Sequence, residues 1–542
     1  MKFKYTLLGL SCLAAVSCSD DEKFVPAYTV ELKADENLEV TIDAATTYQT
    51  IDGFASSDAW DMDYIGKYWS ASNKEGIAEL LFSKEVNEKG TPKGIGLSMW
   101  RVNLGGGSAE QGDASGIKSD RYERRAECYL NEDGTYNWSK ASGQRYFMEK
   151  AKEYGCESFV LFSNTPPVWY TKNGLAFPSD QRGNNLKDDC YDDFAEFLAT
   201  VTKHYVDLGY NIPLISPINE PQVDWGRTPG TADQEGCSYT NAEVRKLAVE
   251  LDKKLTEKGL ANTNMLLAEA AQVACLYGYN TGTNYSYVIR DFFDASKTNT
   301  YIGDLTHMPN IVCAHSYHSD KTWDNLLSTR KSVYDKAKEY GVRVYQTEWS
   351  MLDEGYEDYA SDYSDATYMD LALSMSKVMY HDLVTANMSS WSYWTSCSRE
   401  RWSQKSRFYL IRISPSGNDG EDYGELTTNG TYWGSKNLWV LGNYSRFVRP
   451  GYQRIALNLP ESRKVFGSAY ISPEKDKVVV VVTNMGPETV HFTPTIEGIN
   501  GKEVATVNQY TTSEAKDLSC EPDYLIGHLP AKSVVTLVYD LK

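Results

Sequence analysis

Between residues 50 and 396 the chain alternates two patterns, and this alternation limits the possible folds more than any other feature. Eight short apolar runs are separated by longer stretches of helical periodicity: "TIDGFASS" (50–57), "GIGLSMWRVNLG" (94–105), "SFVLFSNTPP" (158–167), "PLISPINEP" (213–221), "MLLAEAA" (265–271), "IVCAHSYH" (311–318), "RVYQTEWS" (343–350) and "SSWSYWTS" (389–396). Such runs read as parallel strands, because a parallel neighbour requires a crossover long enough to hold a helix. Eight of these units close a (β/α)8 TIM barrel, so the predicted fold class is α/β.

Local signals agree. Ahead of "PLISPINEP", Tyr191, Phe194, Leu198, Val201 and Tyr205 recur at spacings of three and four, and Gly209 follows. That spacing predicts a helix with one apolar face. Pro213 and Pro217 then bracket "LIS", which is too proline-rich to stay helical, so the run is a strand delivering Glu220 at its C-terminal end. The hexapeptide "KAKEYG" occurs at 150–155 and again at 336–341. Each copy predicts a helix end capped by a left-handed glycine, with a strand following at once.

The flanks differ. "TVELKADENLEVTIDAATTYQTI" is strand-like, and beyond about residue 430 the helical rhythm stops. "SAYISPEKDKVVVVVTN" reads as two strands around a polar turn, and "SVVTLVYDLK" as another. The domain expectation is a signal segment at 1–18, a linker at 19–29, N-terminal strands at 30–50, a barrel at 51–430 and a C-terminal β-sandwich at 431–542 that the N-terminal strands complete. The opening "MKFKYTLLGLSCLAAVSCSDDEKF" has Lys2 and Lys4 before an apolar stretch too short to span a bilayer. It resembles a bacterial lipoprotein signal in which Cys18 is lipidated, although Ala15 stands where that pattern usually has Leu. Cys12 is the weaker competitor. The acidic "SDDE" after Cys18 resembles the export tag of surface lipoproteins. The expectation is an exported chain, lipid-anchored to the outer membrane on the cell surface, with the periplasmic face as the alternative.

A formal charge of −20 and the absence of a basic patch argue against nucleic acid and anionic surfaces as partners, and are compatible with a neutral polymer. The 39 Tyr and 13 Trp against 16 Phe supply rings that cover apolar faces while keeping a polar edge, a combination suited to sugars. Cys128, Cys156, Cys190, Cys237, Cys275, Cys313, Cys397 and Cys520 show no CxxC spacing. They read as free thiols, and no disulfide pairing follows from their positions. The two histidines of "HSYH" lie on opposite faces of a strand, "GGG" at 105–107 lacks a following Lys-Ser/Thr, and no GxGxxG opens a helix. Neither metal nor nucleotide cofactor is implied.

Two glutamates sit at strand ends, Glu220 on the fourth and Glu348 on the seventh. Glycoside hydrolysis needs such a pair, one carboxylic acid to protonate the leaving oxygen and one carboxylate to attack the anomeric carbon. At this point "SPINEPQ" and "QTEWS" resemble the acid/base and nucleophile motifs of glycoside hydrolase clan A, specifically family 30. "IDGFASSDAW", "SNTPPVWYTKNG", "HSYH", "WSYWT" and "GNYSRFVRPG" follow in the same order, so that the resemblance runs from about residue 45 to 460.

The resemblance implies roles. Glu220 is the general acid/base and Glu348 the nucleophile. Asn219 donates to the sugar 2-hydroxyl, Arg101 keeps Glu348 ionised, and Tyr317 orients it. Asp58, Trp169 and Trp391 line the sugar site. The chain departs from the pattern at Ala55 and Ser56, where many relatives have glycine, which puts Asp58 in doubt. "RYERRAECYL", "DGTYNWSKASGQRYF" and "QEGCSYTNAE" resemble the endo-β-1,6-galactanase branch, implying arabinogalactan side chains as a neutral plant-type polysaccharide substrate. The same scaffold serves β-1,6-glucan and glucuronoxylan. Arg399, Arg401 and Arg407 read as solvated surface charges, with contact to an acidic sugar as the alternative. Two non-catalytic classes compete, a glycan-binding surface lipoprotein and a structural adhesin. The oligomeric state stays open.

Overall fold

Each of the eight apolar runs forms a strand, and the strands pair in parallel. The structure is a computed structural model that describes residues 36–278, 282, 284–359 and 365–542. The signal segment with Cys18, the linker and residues 30–35 of the N-terminal strands lie outside the described residues. Strand β1 (Glu36–Thr50) is followed by β2 (Gly53–Ser57), β3 (Met99–Leu104), β4 (Ser158–Ser163), β5 (Leu214–Ser216), β6 (Asn264–Met265), β7 (Leu267–Ala270), β8 (Ile311–His315), β9 (Arg343–Glu348) and β10 (Ser390–Tyr393). The hydrogen-bonded order β6-β5-β4-β3-β2-β10-β9-β8-β7 runs round the barrel, because β6 and β7 are consecutive pieces of the fifth strand. Leu266, between them, donates its N–H to Ile215.

The predicted helix spans Tyr191–Asp207, and all five residues of its apolar face are buried. The two "KAKEYG" copies end the helices Ser142–Glu153 and Trp323–Tyr340. Gly155 and Gly341 take φ of 80° and 65°, a region where a Cβ is strained, and strands follow at Ser158 and Arg343. The fourth strand is shorter than expected. It ends at Ser216, because Pro217 has no N–H to continue the ladder. Glu220 is instead held by its own N–H, which donates to the carbonyl of Glu269 at the end of the neighbouring strand.

The barrel interior is layered. Ala55, Met99, Val160, Leu214, Leu266, Cys313 and Tyr345 form an apolar floor. Two residues further along the same strands, the period of two brings Ser57, Arg101, Phe162, His315 and Thr347 inward, so a charged layer rests on the floor at the C-terminal end.

The remaining strands are β11 (Cys397–Arg399), β12 (Ile411–Ser414), β13 (Thr431–Gly434), β14 (Gln453–Asn458), β15 (Val465–Ile471), β16 (Lys477–Asn484), β17 (Val490–Glu497), β18 (Val504–Ser513), β19 (Lys516–Cys520), β20 (His528–Leu529) and β21 (Ser533–Leu541). β11–β13 form a small sheet beside the barrel, while β14–β21 and β1 form a nine-stranded all-β domain. The N-terminal contribution is one long strand with register shifts, not several short ones. Residues 436–445, expected as sandwich, are a helix whose Leu438, Val440, Leu441 and Tyr444 are buried at helical spacing. The five consecutive valines of β16 are explained by two burials. Val478, Val480 and Val482 face the interior of the β domain, whereas Val479 and Val481 join the core shared with the barrel.

Candidate active site

Inward-facing charge at the C-terminal end of a barrel has to be neutralised locally, and here five groups do this for one another. Arg101 on β3 points up from the floor with its guanidinium 3.5 Å from the Phe162 ring. Its Nη1 donates to Glu348 Oε1 at 2.6 Å and to Ser57 Oγ at 3.0 Å. Its Nη2 donates to Glu269 Oε1 at 3.2 Å and Asn219 Oδ1 at 3.3 Å. His315 on β8 faces carboxylates with both nitrogens, Nδ1 to Glu220 Oε1 at 2.8 Å and Nε2 to Glu269 Oε2 at 3.3 Å. The same Nδ1 stands 3.5 Å from Glu348 Oε2. Tyr317 donates its hydroxyl to that oxygen at 3.1 Å. Three carboxyls thus share one guanidinium and one imidazole.

Burial and pairing pull the titrations in opposite directions. Burial alone would push the Glu269 carboxyl up, but Arg101 and His315 together hold it at about 2. Burial would likewise drive His315 toward neutrality, yet Glu348, Glu220 and Glu269 raise it to about 10, leaving an imidazolium. Burial lifts Glu348 above the ordinary glutamate value against the pull of His315 and Arg101. Glu220, His315 and Glu348 each bring one donor atom within 4.8 Å of the others, a spacing that suits a cation. The protonated ring of His315 already supplies a positive charge there, at hydrogen-bond distance from Glu220.

The backbone explains how adjacent side chains reach one interior. Ala314 pairs with Gln346 but His315 pairs with Glu348, so β9 carries an extra residue and both Thr347 and Glu348 turn inward. Register also slips between Leu267 and Ala270, and Glu269 has φ 47°. Its carboxyl is fully buried, held additionally by the Thr347 hydroxyl. Glu220 has φ 45°, a left-handed conformation uncommon for glutamate.

Above these groups opens a cleft of about 390 Å³, into which Asn219, Glu220, Tyr317 and Glu348 all project. Asn219 gives one amide hydrogen to Asn164 Oδ1 at 2.9 Å, leaving the other for the cleft. Three of the expected sugar-site residues lie elsewhere. Asp58 is fully buried, its Oδ1 accepting from the Asn103 N–H at 2.9 Å and Gln144 Nε2 at 3.0 Å. Trp391 packs outside the barrel and donates its indole N–H to Asp382 at 3.0 Å. Trp169 donates to the Leu130 carbonyl at 3.2 Å and packs against the core. The aromatic walls are instead Trp60, Trp225, Trp394 and Trp402. Trp394 stands three residues after Trp391, on the opposite face by strand parity, and meets Trp60 edge-on at 4.9 Å.

The arginines differ from expectation too. Arg399 and Arg401 are buried at the cleft, at 3.2 Å and 3.4 Å from the two oxygens of Glu123. Arg407 is buried away from it, bonding to the Met351 and Leu352 carbonyls. Arg121 lies over Trp402 at 3.9 Å and Arg124 over Trp60 at 4.1 Å.

His315, Glu269 and Trp394 were not among the expected site residues. His315 was legible from parity with the apolar Cys313 below it, and Glu269 from a lone carboxylate inside "MLLAEAA". The eight cysteines outside the signal segment are free thiols, six of them buried. No helix among the described residues is long and apolar enough to cross a membrane.

The model of O-glycosyl hydrolase family 30 matches residues 37–406. An endo-β-1,6-galactanase of Hypocrea rufa is 25% identical over 501 residues, covering 90% of this chain and 89% of the relative. A glucuronoxylanase of Bacillus subtilis is 26% identical over 181 residues, covering 33% of this chain and 36% of the relative. Among solved structures, a conserved exported protein from Bacteroides fragilis superposes with a TM-score of 0.82 at 30% identity, covering 92% of this chain and 99% of that one.

Proposed function

Since this chain belongs to O-glycosyl hydrolase family 30, we propose that it is a retaining endo-hydrolase of β-1,6-linked galactan, with Glu348 as nucleophile and Glu220 as acid/base. The observation that carries the mechanism is distance. Carboxyl oxygens of Glu220 and Glu348 lie within 4.8 Å of each other. Retaining enzymes hold their carboxyls about 5–5.5 Å apart, whereas inverting enzymes need about 6.5–9.5 Å to admit a water.

The steps follow from the contacts. Glu220 gives its proton to the leaving oxygen as Glu348 Oε bonds the anomeric carbon and the glycosidic C–O bond breaks. Arg101 and Tyr317 hold Glu348 with one oxygen each, which fixes the line of attack. Water then gives a proton to Glu220 and its oxygen to the anomeric carbon, releasing Glu348. Asn219 offers its remaining amide hydrogen to the sugar beside Arg101. The galactan assignment is supported by the relative that matches 90% of the chain, and the aromatic walls of the cleft suit a sugar chain.

A second reading, an acidic glycan such as glucuronoxylan, is favoured by one observation. Arg121, Arg124, Arg399 and Arg401 all line the cleft of a chain whose net charge is −20. Purified protein incubated side by side with β-1,6-galactan, β-1,6-glucan and glucuronoxylan decides between them. New reducing ends from galactan alone are expected, with the anomeric configuration of first-formed products retained. In Glu348→Gln this turnover falls below detection while binding persists, and undiminished turnover in that variant sinks the assignment.

A further inference from the structure

The two half-reactions of a retaining hydrolase move one negative charge between two carboxyls. Before attack the charge lies on Glu348 and Glu220 holds a proton. Once the glycosyl ester has formed, Glu348 is neutral and Glu220 carries the charge. The second half-reaction returns it. A cation fixed beside one carboxyl alone would favour one of these states and slow the step that leaves it.

His315 stands between them. Its Nδ1 is 2.8 Å from Glu220 Oε1 and 3.5 Å from Glu348 Oε2. Its Nε2 is 3.3 Å from Glu269 Oε2, and because Nδ1 faces the ionised Glu348 as well as Glu220, the ring is a donor from both nitrogens. Glu269 is immobilised by Arg101, by the Thr347 hydroxyl and by its own N–H, which donates to Cys313 Sγ at 3.0 Å. The ring of Tyr317 meets the imidazole edge-on at 5.5 Å. Among the described residues, Glu220, Glu269, Glu348, Tyr317 and, through Glu269, Arg101 are therefore the ionisable groups round the ring; Cys313 lies one layer below.

We propose that His315 is a fixed counter-ion shared by Glu220 and Glu348 through both half-reactions, and that Glu269 is the positioning residue that holds the ring from behind. Neither touches the sugar. No proton leaves His315 in either step: in the first the proton on Glu220 goes to the leaving oxygen, and in the second Glu220 takes one from water. What changes is which carboxylate the same N–H faces. This inference rests on the retaining reading above.

Glu269→Gln removes the charge behind the ring and keeps its shape. The expected result is a fall of about tenfold or more in both kcat/KM for the polymer, which reports the first half-reaction, and kcat for an aryl β-galactoside with an acidic phenol, which reports the second. Without the carboxylate behind it the ring gives up its own proton more readily, and once His315 is neutral Glu220 holds its proton more tightly, so the alkaline limb of kcat/KM moves to higher pH. Glu269→Asp recovers part of the loss. If Gln at this position leaves both rates within about twofold and the limb in place, or slows only the first half-reaction, the shared role is wrong. Wild-type protein with ¹⁵N-labelled histidine offers a check that no folding defect can cloud. Both His315 nitrogens are expected to stay protonated at neutral pH, and a neutral ring there overturns the proposal. Failure of wild-type protein to cleave any β-galactoside would instead count against the retaining galactanase reading.

Discussion

Two tryptophans three residues apart show how much one side chain's direction decides. The family resemblance points to Trp391 as a sugar-site ring, yet Trp391 on β10 and Trp394 just beyond its end face opposite sides. Trp391 is fully buried, and its indole N–H ends on Asp382, which also takes the Nε of the buried Arg330 at 2.8 Å. Trp391→Phe should lower the unfolding temperature, since it leaves a buried carboxylate short of a donor, a loss of about 1–3 kcal/mol. Its KM should stay at the wild-type value. Trp394→Ala should raise KM at least about tenfold, because a ring is lost from the wall of the proposed sugar cleft. Thermal unfolding together with steady-state kinetics on the two variants separates the faces, and an inverted pattern would place the cleft on the wrong side of the strand. Parity was available from residue spacing. The extra residue in β9 and the slip in the fifth strand were not, because a bulge depends on the partner strand.

At the level of elements, the repeated "KAKEYG" offers a clean measure of backbone strain. Gly341 has φ 65°, and a Cβ built there would meet nothing within 4 Å. Any destabilisation of Gly341→Ala is therefore conformational, about 1–2 kcal/mol for a left-handed alanine. Asn tolerates that region, so Gly341→Asn should recover most of the loss in denaturant unfolding. Equal stability of all three proteins would mean that the helix end is free to relax. Helices and strands were readable because each carries its own period. The helix at 436–445 was not, since the surrounding sequence reads as strands and its short apolar face takes meaning only from the β sheet and barrel helix that cover it.

For the whole molecule, buried carboxyls outside the Arg101–His315 cluster contribute to the response to pH. Burial pushes Asp58 to about 7, with Oδ2 left without a hydrogen bond, and Glu235 to about 7 despite bonds from Ser108 and Gly106. The folded state then binds more protons than the unfolded state from about pH 4 to 7, so stability is full below that window and falls as pH rises through it. His315 adds the same sign up to about 10, whereas Glu269 loses its contribution only as pH falls toward 2. The unfolding temperature should drop between about pH 5 and pH 8, and Asp58→Asn with Glu235→Gln should flatten that slope. A stability that climbs over this range would contradict the neutral-acid assignment. The eightfold alternation, the β-rich flanks and the pair of glutamates at strand ends were all written in local order, since periodicity and proline positions act over a few residues. Which carboxyl meets which cation was not, because Arg101, Glu269, His315 and Glu348 come from four strands. Their meeting depends on barrel closure, on one bulge, and on a low-dielectric interior that no single segment creates.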